Sequence, residues 1–346
     1  MIYALSAIAF LLTLIGTFLL VRFALRRNML DIPNERSSHH VPTPRGGGLA
    51  IVVVSTVAFA FMTAAGQLEA EVLAALAGGG VAVAAVGFVD DWRSLSPLWR
   101  LLVHIFAAVL TLMLFGGLPA LQVGTQLVTF GYFGYVLGLL AIVWILNLFN
   151  FMDGIDGIAA SEAAFVTFAA AAIGWLSGEA GSVSMAALIF ASASCGFLAL
   201  NWQPAKIFLG DVGSGYLGYV IAVLAIAAAR ESAVSLFVWL ILGGAFFTDA
   251  TVTILRRLLR GDRVFEAHRS HAYQHLALRW RSHSRVTSVM LLINVCWLLP
   301  AAWLATVYPH QAIWLTVGSL TPLAIAAFLC GAGQPGNTQT ARPVSS

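Results

Sequence analysis

Asn150, Asp153 and Asp156 recur every three residues within residues 147–157, a spacing at which a helical or tight-turn backbone brings side-chain oxygens together. Gly154 and Gly157 in the same stretch permit irregular backbone and close approach of a ligand. Asp90 and Asp91 are adjacent. On a helix end they point about 100° apart and can reach different parts of one site. Asp211 lies in residues 204–215 at an expected helix start, where it either caps the helix or joins the N-terminal amides in holding a phosphate and its metal. Arg45 precedes three glycines, 46 to 48, whose backbone amides can approach an anion closely. Residues 256–285 add eight arginines together with His268, His271, His275 and His283. Mg²⁺ prefers one or two carboxylates plus phosphate oxygens, so these acids beside arginines suit a magnesium ion and a phosphorylated substrate. Plainer roles compete with each reading. The glycine-rich loop can simply set topology, Asp90 and Asp91 can be solvated interface acids, and the arginines can anchor to lipid headgroups. His271 and His275 stand four residues apart without the HExxH context of a zinc helix.

The elements that must position these residues are apolar. Of 346 residues, 60% are hydrophobic and 10% charged, with mean hydropathy +0.90. Soluble domains carry roughly 25% charged residues, so the bilayer must be the solvent here. A crossing helix needs about 20 mostly apolar residues. Eleven runs meet that need: residues 2–25, 48–65, 72–89, 98–116, 131–147, 161–176, 182–200, 215–229, 233–255, 286–306 and 311–329. They are continuous rather than alternating, which predicts helices and not a barrel. The expected fold is an all-α polytopic membrane protein with about 11 transmembrane helices. It forms a single transmembrane catalytic domain over residues 1–330 and a disordered cytoplasmic tail over 331–346, rich in Gly, Thr, Pro and Ser. Residues 118–128 are apolar but short and turn-rich, and are read as a loop or small hairpin. The first run ends at Arg22, Arg26 and Arg27 without a basic leader, and reads as a retained span. Arg36, Arg45, Arg93, Lys206 and Arg256 to Arg285 all fall in alternate connections. The positive-inside rule then puts the N-terminus in the periplasm and the C-terminus in the cytoplasm. The acids at the span ends lie on the cytoplasmic face, with Asp249 the exception inside a run. Cys195, Cys296 and Cys330 sit in apolar runs without metal spacing.

Taken in order, these segments resemble the polyprenyl-phosphate N-acetylhexosamine-1-phosphate transferase family (the MraY/WecA type, glycosyltransferase 4). The resemblance rests on Pro42, Thr43 and Pro44 with glycines 46 to 48; Asp90 and Asp91; residues 147–157; Pro204 to Phe208 with Gly210 to Ser214; and Arg269 with His271 and His275. It spans nearly the whole chain. Residues 31–34 and 268–275 look most like the branch that initiates bacterial O-antigen. The resemblance implies transfer of a sugar-1-phosphate from a UDP-N-acetylhexosamine to undecaprenyl phosphate in the bacterial inner membrane, with the active site facing the cytoplasm. It implies Mg²⁺, with Mn²⁺ able to substitute, on Asp211 and Asn150. Phe208 would stack on uracil, and Asp153 and Asp156 would line the nucleoside pocket. Asp90, supported by Asp91, would bind or deprotonate the lipid phosphate. Arg269, His271 and His275 would contact the diphosphate or sugar, and Lys206 and Arg45 would help bind substrate. His271 and His275 lie further apart than in many relatives, so either takes the family's histidine position. Direct in-line attack is expected rather than an aspartyl intermediate. The lipid bilayer is a partner, nucleic acid is not, and a homodimer is compatible with the reading.

Two rivals are weaker. Residues 156–160 are similar to the start of the CDP-alcohol phosphotransferase motif, but its arginine and further acids do not follow. A transporter with a cytoplasmic-side acidic ion site would be expected to carry acids near the membrane midplane and internal repeats, and neither is evident.

Overall fold

The computed structural model describes residues 2–27, 30–32, 41–179, 181–263 and 268–335. Expectations for residues 33–40 of the first loop and for 336–346 of the tail lie outside the described residues. The chain is mostly helical. Helix α1 (Ile2–Arg27) leads to a short antiparallel hairpin, β1 (Leu30–Asp31) and β2 (Thr43–Pro44), in which Asp31 faces Thr43. Then follow α2 (Gly48–Ala64), α3 (Ala70–Trp92) and α4 (Pro97–Phe115). Residues 118–128 contain a hairpin of β3 (Leu121–Val123) and β4 (Gln126–Val128), the second of the two forms expected for them. Next come α5 (Phe133–Met152), α6 (Ile158–Leu176), α7 (Ser182–Asn201) and α8 (Asp211–Arg230). The chain closes with α9 (Leu236–Leu242), α10 (Gly244–Leu259), the short α11 (Ala272–Trp280), α12 (His283–Val307) and α13 (Ala312–Leu329).

Among the described residues, nine helices are long and apolar enough to cross a membrane. The other two expected runs correspond to α2, at 17 residues, and to the α9–α10 pair. The run expected at residues 233–255 is thus two helices, bent by 77°. The bend falls at Gly243 and Gly244, where helix propensity is weakest. Leu298 and Leu320 fill the elbow so closely that a side chain at Gly244 would collide with them.

Helix α8 is the axis of the bundle. Every residue from Val212 to Ala228 is buried, and α3 and α5 pack along it. Lipid chains are as apolar as leucine, so helices in a bilayer associate by close contact and buried hydrogen bonds. Both are visible here. Tyr216 meets Ser55 of α2 at 2.8 Å, and Tyr219 meets Thr111 of α4 at 2.7 Å. Tyr219 also donates to the carbonyl of Ala75 at 2.9 Å, inside a π-helical stretch of α3, Ala74–Gly79. Such a widened turn disturbs the regular ladder and leaves carbonyls needing other donors. The outer helices instead expose large apolar side chains, such as Leu11, Ile15 and Leu19 of α1 and Trp314, Val317 and Ile325 of α13. These faces suit lipid.

Residues 331–333, placed in the expected tail, are packed: Ala332 is buried, and the Gly333 amide donates to the Ser270 carbonyl at 2.7 Å.

Where α3 crosses the start of α8, a β-carbon at Gly87 would stand against the carbonyl of Asp211 and 2.7 Å from the nitrogen of Val212. Gly87→Ala should therefore force the helices apart at a cost of about 1–3 kcal/mol. Gly318→Ala, on α13 with open space around it, should leave stability unchanged. Thermal unfolding of both variants in detergent checks this.

Candidate active site

Four chain segments meet at one end of α8. Asp90 and Asp91 end α3, Asn150 ends α5, the turn after α5 carries Asp153 and Asp156, and Asp211 opens α8. The loop before α8 is laced to the start of α2: Phe208 N–H donates to Pro44, Gly47 N–H to Phe208 and Gly48 N–H to Leu209, each at 2.8–2.9 Å. This pairing is why the glycine-rich segment and residues 204–215, far apart in sequence, form one wall. The result is a cleft of about 270 Å³, lined among others by Asp31, Arg45, Asp91, Asn150, Asp153, Asp156, Phe208 and Asp211. That volume is at the lower end for small-molecule pockets, and the cleft is open to one side, so a longer ligand can extend outward.

Asp91 does not face the cleft as a free acid. Its two oxygens accept the backbone N–H groups of Asp211 at 3.0 Å and Val212 at 3.1 Å. It thus caps α8 from a neighbouring helix, satisfying amides that helix geometry leaves unpaired. Gly210 must be glycine here: its φ is +76°, and a β-carbon would strike the Asp91 carboxylate. Arg45 bridges to Asp31 at 2.7 Å and approaches Asp91 at 3.8 Å. Asp211 does not cap its own helix. Instead it receives the Asn150 amide at 2.7 Å and lies 3.3 Å from Arg100. Asn150 also donates to Ser214 at 3.0 Å.

Asp90 does not itself line the cleft, but its carboxyl lies against that of Asp211. It accepts from the Leu95 amide and from Arg100, both at 2.6 Å. Arg100 thereby links Asp90 to Asp211. The sequence reading passed over it because it sits in the first turn of an apolar run. A lone arginine beside a run's proline start was the signal available. Asp153 lines the cleft, where burial, with the charges of Asp211 and Asp91, pushes its carboxyl well above the usual carboxylate range. One oxygen of Asp156 accepts the Ala205 amide at 3.1 Å and the other lies 3.3 Å from Nδ1 of His283. Asn201 bridges Gly157 and the Ile207 carbonyl, bracing this turn against the loop before α8. His283, Gln274 and Asn201 are further cleft residues that the sequence reading did not select.

Lys206, Arg269, His271 and His275 do not line the cleft. Lys206 is exposed in the loop before α8. His271 is buried, stacks on His268 and Phe151, and stands 3.4 Å from Asp249. Asp249 is the acid inside a run, and its role is now plain. It accepts the amides of Ala272 and Tyr273 at 2.9 Å and so caps α11 as Asp91 caps α8. Tyr273 in turn donates to the Phe151 carbonyl at 3.0 Å, tying α11 to the end of α5. His275 stands beside Gly331. Among the described residues, no three His, Cys, Asp or Glu side chains form a ready-made metal cage.

Residues 72–229 match the family described as Glycosyl transferase family 4. That stretch runs from α3 through α8 and contains every acid of the cleft wall except Asp31. The chain is 30% identical over 317 residues to the probable undecaprenyl-phosphate N-acetylglucosaminyl 1-phosphate transferase of Bacillus subtilis (strain 168), covering 90% of this chain and 86% of that one. A decaprenyl-phosphate N-acetylglucosaminephosphotransferase of Mycobacterium leprae (strain TN) is 28% identical over 313 residues, 82% of this chain and 79% of its own. A phospho-N-acetylmuramoyl-pentapeptide-transferase of Synechococcus sp. (strain CC9311) is 31% identical over 230 residues, 62% of this chain and 60% of its own.

Removing the cross-helix cap should loosen the start of α8. Asp91→Ala leaves two amides unpaired and should cost about 1–2 kcal/mol. Hydrogen exchange at the amides of Asp211 and Val212 should accelerate, while amides near the middle of α8 keep their protection. Unchanged exchange at Asp211 and Val212 would contradict the capping role.

Proposed function

Because this chain belongs to the polyprenyl-phosphate N-acetylhexosamine-1-phosphate transferase family, we propose that its cleft moves N-acetylhexosamine-1-phosphate from a UDP-sugar to undecaprenyl phosphate. A phosphate oxygen of the lipid attacks the β-phosphorus of the UDP-sugar. The bond from that phosphorus to the bridging oxygen breaks, UMP leaves with the oxygen, and a lipid diphospho-sugar remains. The lipid phosphate is already ionised near neutrality, so the reaction needs positioning and charge neutralisation more than a strong base.

The observation that carries this reading is the crowding of carboxyls in the cleft. Asp31, Asp91, Asp153, Asp156 and Asp211 line it, with Arg45 beside them and Arg100 just behind. The same crowding raises the Asp153 carboxyl; a divalent cation would relieve it, and the donor set fits one. Mg²⁺, when bound, would neutralise the diphosphate oxygens and draw charge from the breaking bond. Asp211, at the mouth of a helix N-terminus, is the residue to hold it. Asn150 now turns its amide nitrogen to Asp211, so ligation by Asn150 requires the amide to rotate and present its oxygen. With two carboxylate or amide donors, phosphate oxygens and water complete the shell, as Mg²⁺ prefers. Mn²⁺ is expected to substitute.

Phe208 offers its ring to uracil, and Asp153 lines the nucleoside side. Asp90 acts on the lipid phosphate together with Arg100, whose guanidinium it holds. Arg269, His271 and His275 belong to the segment that Asp249 anchors beside Gln274, and are proposed for the sugar end. Lys206 is proposed to meet the donor phosphates from the exposed loop. The excess of basic residues in alternate connections supports a cytoplasmic active site, with the N-terminus in the periplasm and the protein in the bacterial inner membrane. The printed names of the Bacillus and Mycobacterium relatives favour N-acetylglucosamine as the amino sugar. The motif variant at residues 268–275 supports a product that starts O-antigen or a related surface polysaccharide. The transporter reading has no support among the relatives named above.

Purified protein given radiolabelled UDP-N-acetylhexosamines and undecaprenyl phosphate should form labelled lipid and UMP with Mg²⁺ and none with EDTA. Asp211→Ala should lower the rate by roughly 100-fold or more, as loss of a charge-stabilising group does. Metal-independent transfer, or no lipid product from any donor by folded protein, would overturn the proposal.

A further inference from the structure

Asp156 and His283 form a pair on the cleft wall, and the contacts around them divide their labour unequally. Every polar atom of Asp156 is engaged by other elements. One carboxylate oxygen accepts the Ala205 amide at 3.1 Å, and the other lies 3.3 Å from Nδ1 of His283. The Asp156 amide donates to the same Nδ1 at 3.3 Å, and its carbonyl accepts the Thr287 hydroxyl at 3.2 Å. The His283 ring is fixed in turn. It opens α12, whose first turn is pinned to the loop before α8 because Gln203 accepts the Ser284 amide at 2.6 Å. Deeper along the same two helices, Asn294 donates to the buried Glu162 at 2.6 Å, so α12 stays docked on α6. Nδ1 is consumed by Asp156, while the ring still lines the cleft. That leaves Nε2 as the nitrogen that can meet a ligand. An imidazole that accepts a backbone N–H at one nitrogen carries its own N–H on the other and presents it in a defined direction.

We propose that His283 is a specificity-determining residue that contacts the nucleoside half of the UDP-sugar, and that Asp156 is the positioning residue that holds its ring. This rests on the transferase reading above and refines it, since that reading gave the nucleoside contact to Asp156 itself. The placement follows from two separate networks in the cleft. Asp211, Asn150, Asp91, Arg45 and Asp31 form the metal and phosphate network, and Asp156, His283 and Asn201 belong to the other. A nucleoside carries carbonyl and hydroxyl oxygens that suit a ring N–H donor or acceptor, and no phosphate charge there has to be neutralised.

The test separates binding from chemistry. His283→Ala should raise the KM for the UDP-sugar about tenfold, with kcat and the KM for undecaprenyl phosphate within twofold of wild type. His283→Gln, which keeps a donor and an acceptor, should recover part of the loss. Asp156→Asn should weaken donor binding less, and should add nothing in the His283→Ala background, because its effect runs through the ring. UMP protection against thermal unfolding should weaken in His283→Ala by a matching factor. A His283→Ala enzyme with unchanged donor KM and a lower kcat or thermal midpoint would overturn the proposal, as would full additivity with Asp156→Asn. UMP protection also separates this failure from that of the reading beneath it. If wild type binds UMP but transfers no sugar-phosphate, the reaction is wrong. If it transfers and His283→Ala binds UMP as wild type does, the contact is wrong.

Discussion

A carboxylate at the end of one helix holding the first two amides of another is the interaction on which this site depends. Asp91 on α3 accepts from Asp211 and Val212 of α8. The positive end of α8 is thereby fixed against a negative side chain rather than left to water. Several features follow from that single contact. Gly210 has to lack a side chain, Gly87 has to let the two backbones touch, and Asp211 is freed from capping duty, so its carboxylate can face Asn150 and Arg100. The same device recurs at α11, where Asp249 takes the amides of Ala272 and Tyr273. In a protein with little aqueous surface, carboxylates borrowed from neighbouring helices do the work that loops and water do elsewhere.

The walls of the cleft are also bound to each other through main chain. The hairpin β1–β2 and the start of α2 hydrogen-bond to the loop before α8 at Pro44, Gly47 and Gly48. Backbone pairing of this kind leaves the side chains of Arg45, Phe208 and Asp211 free to face one volume. It also means that the glycine-rich segment has a structural reason for its composition: Gly48 lies where its neighbour Gly213 leaves no room for a β-carbon. The amides of Gly47 and Gly48 are spent on carbonyls of that loop, so they are not available to an anion in the cleft.

Much of the architecture was legible in the sequence because the bilayer imposes one constraint on every span. Long apolar runs marked α1, α3 to α8, α12 and α13, and the scarcity of acids made Asp90, Asp91, Asp153, Asp156 and Asp211 stand out. Geometry brings the last four to the cleft, as their positions at run ends implied. What stayed hidden was pairing. Asp249 reads as a costly acid in a span, and only the fold shows α11 returning its amides to it. Arg100 reads as an interface charge until Asp90 and Asp211 are seen on either side. The elbow at Gly243 was invisible because hydropathy does not record direction. His271 and His275 share a helix-like spacing, yet one starts α11 and the other stands beside Gly331.

The placement of the cleft at the ends of spans, and not among them, follows from the chemistry it must perform. Carboxylates at the bilayer centre are expensive, and a diphosphate there would be more so. At the rim, Asp91, Asp153 and Asp211 stand close to one another on a cleft that is open on one side. A polyprenyl chain has the opposite need, and the outer helices expose apolar faces that suit lipid. A rim site is therefore the place where one substrate can come from water and the other from lipid, with the α8 N-terminus between them. Holding that N-terminus rigid, as Asp91 does, is what lets two such different approaches converge on one phosphorus.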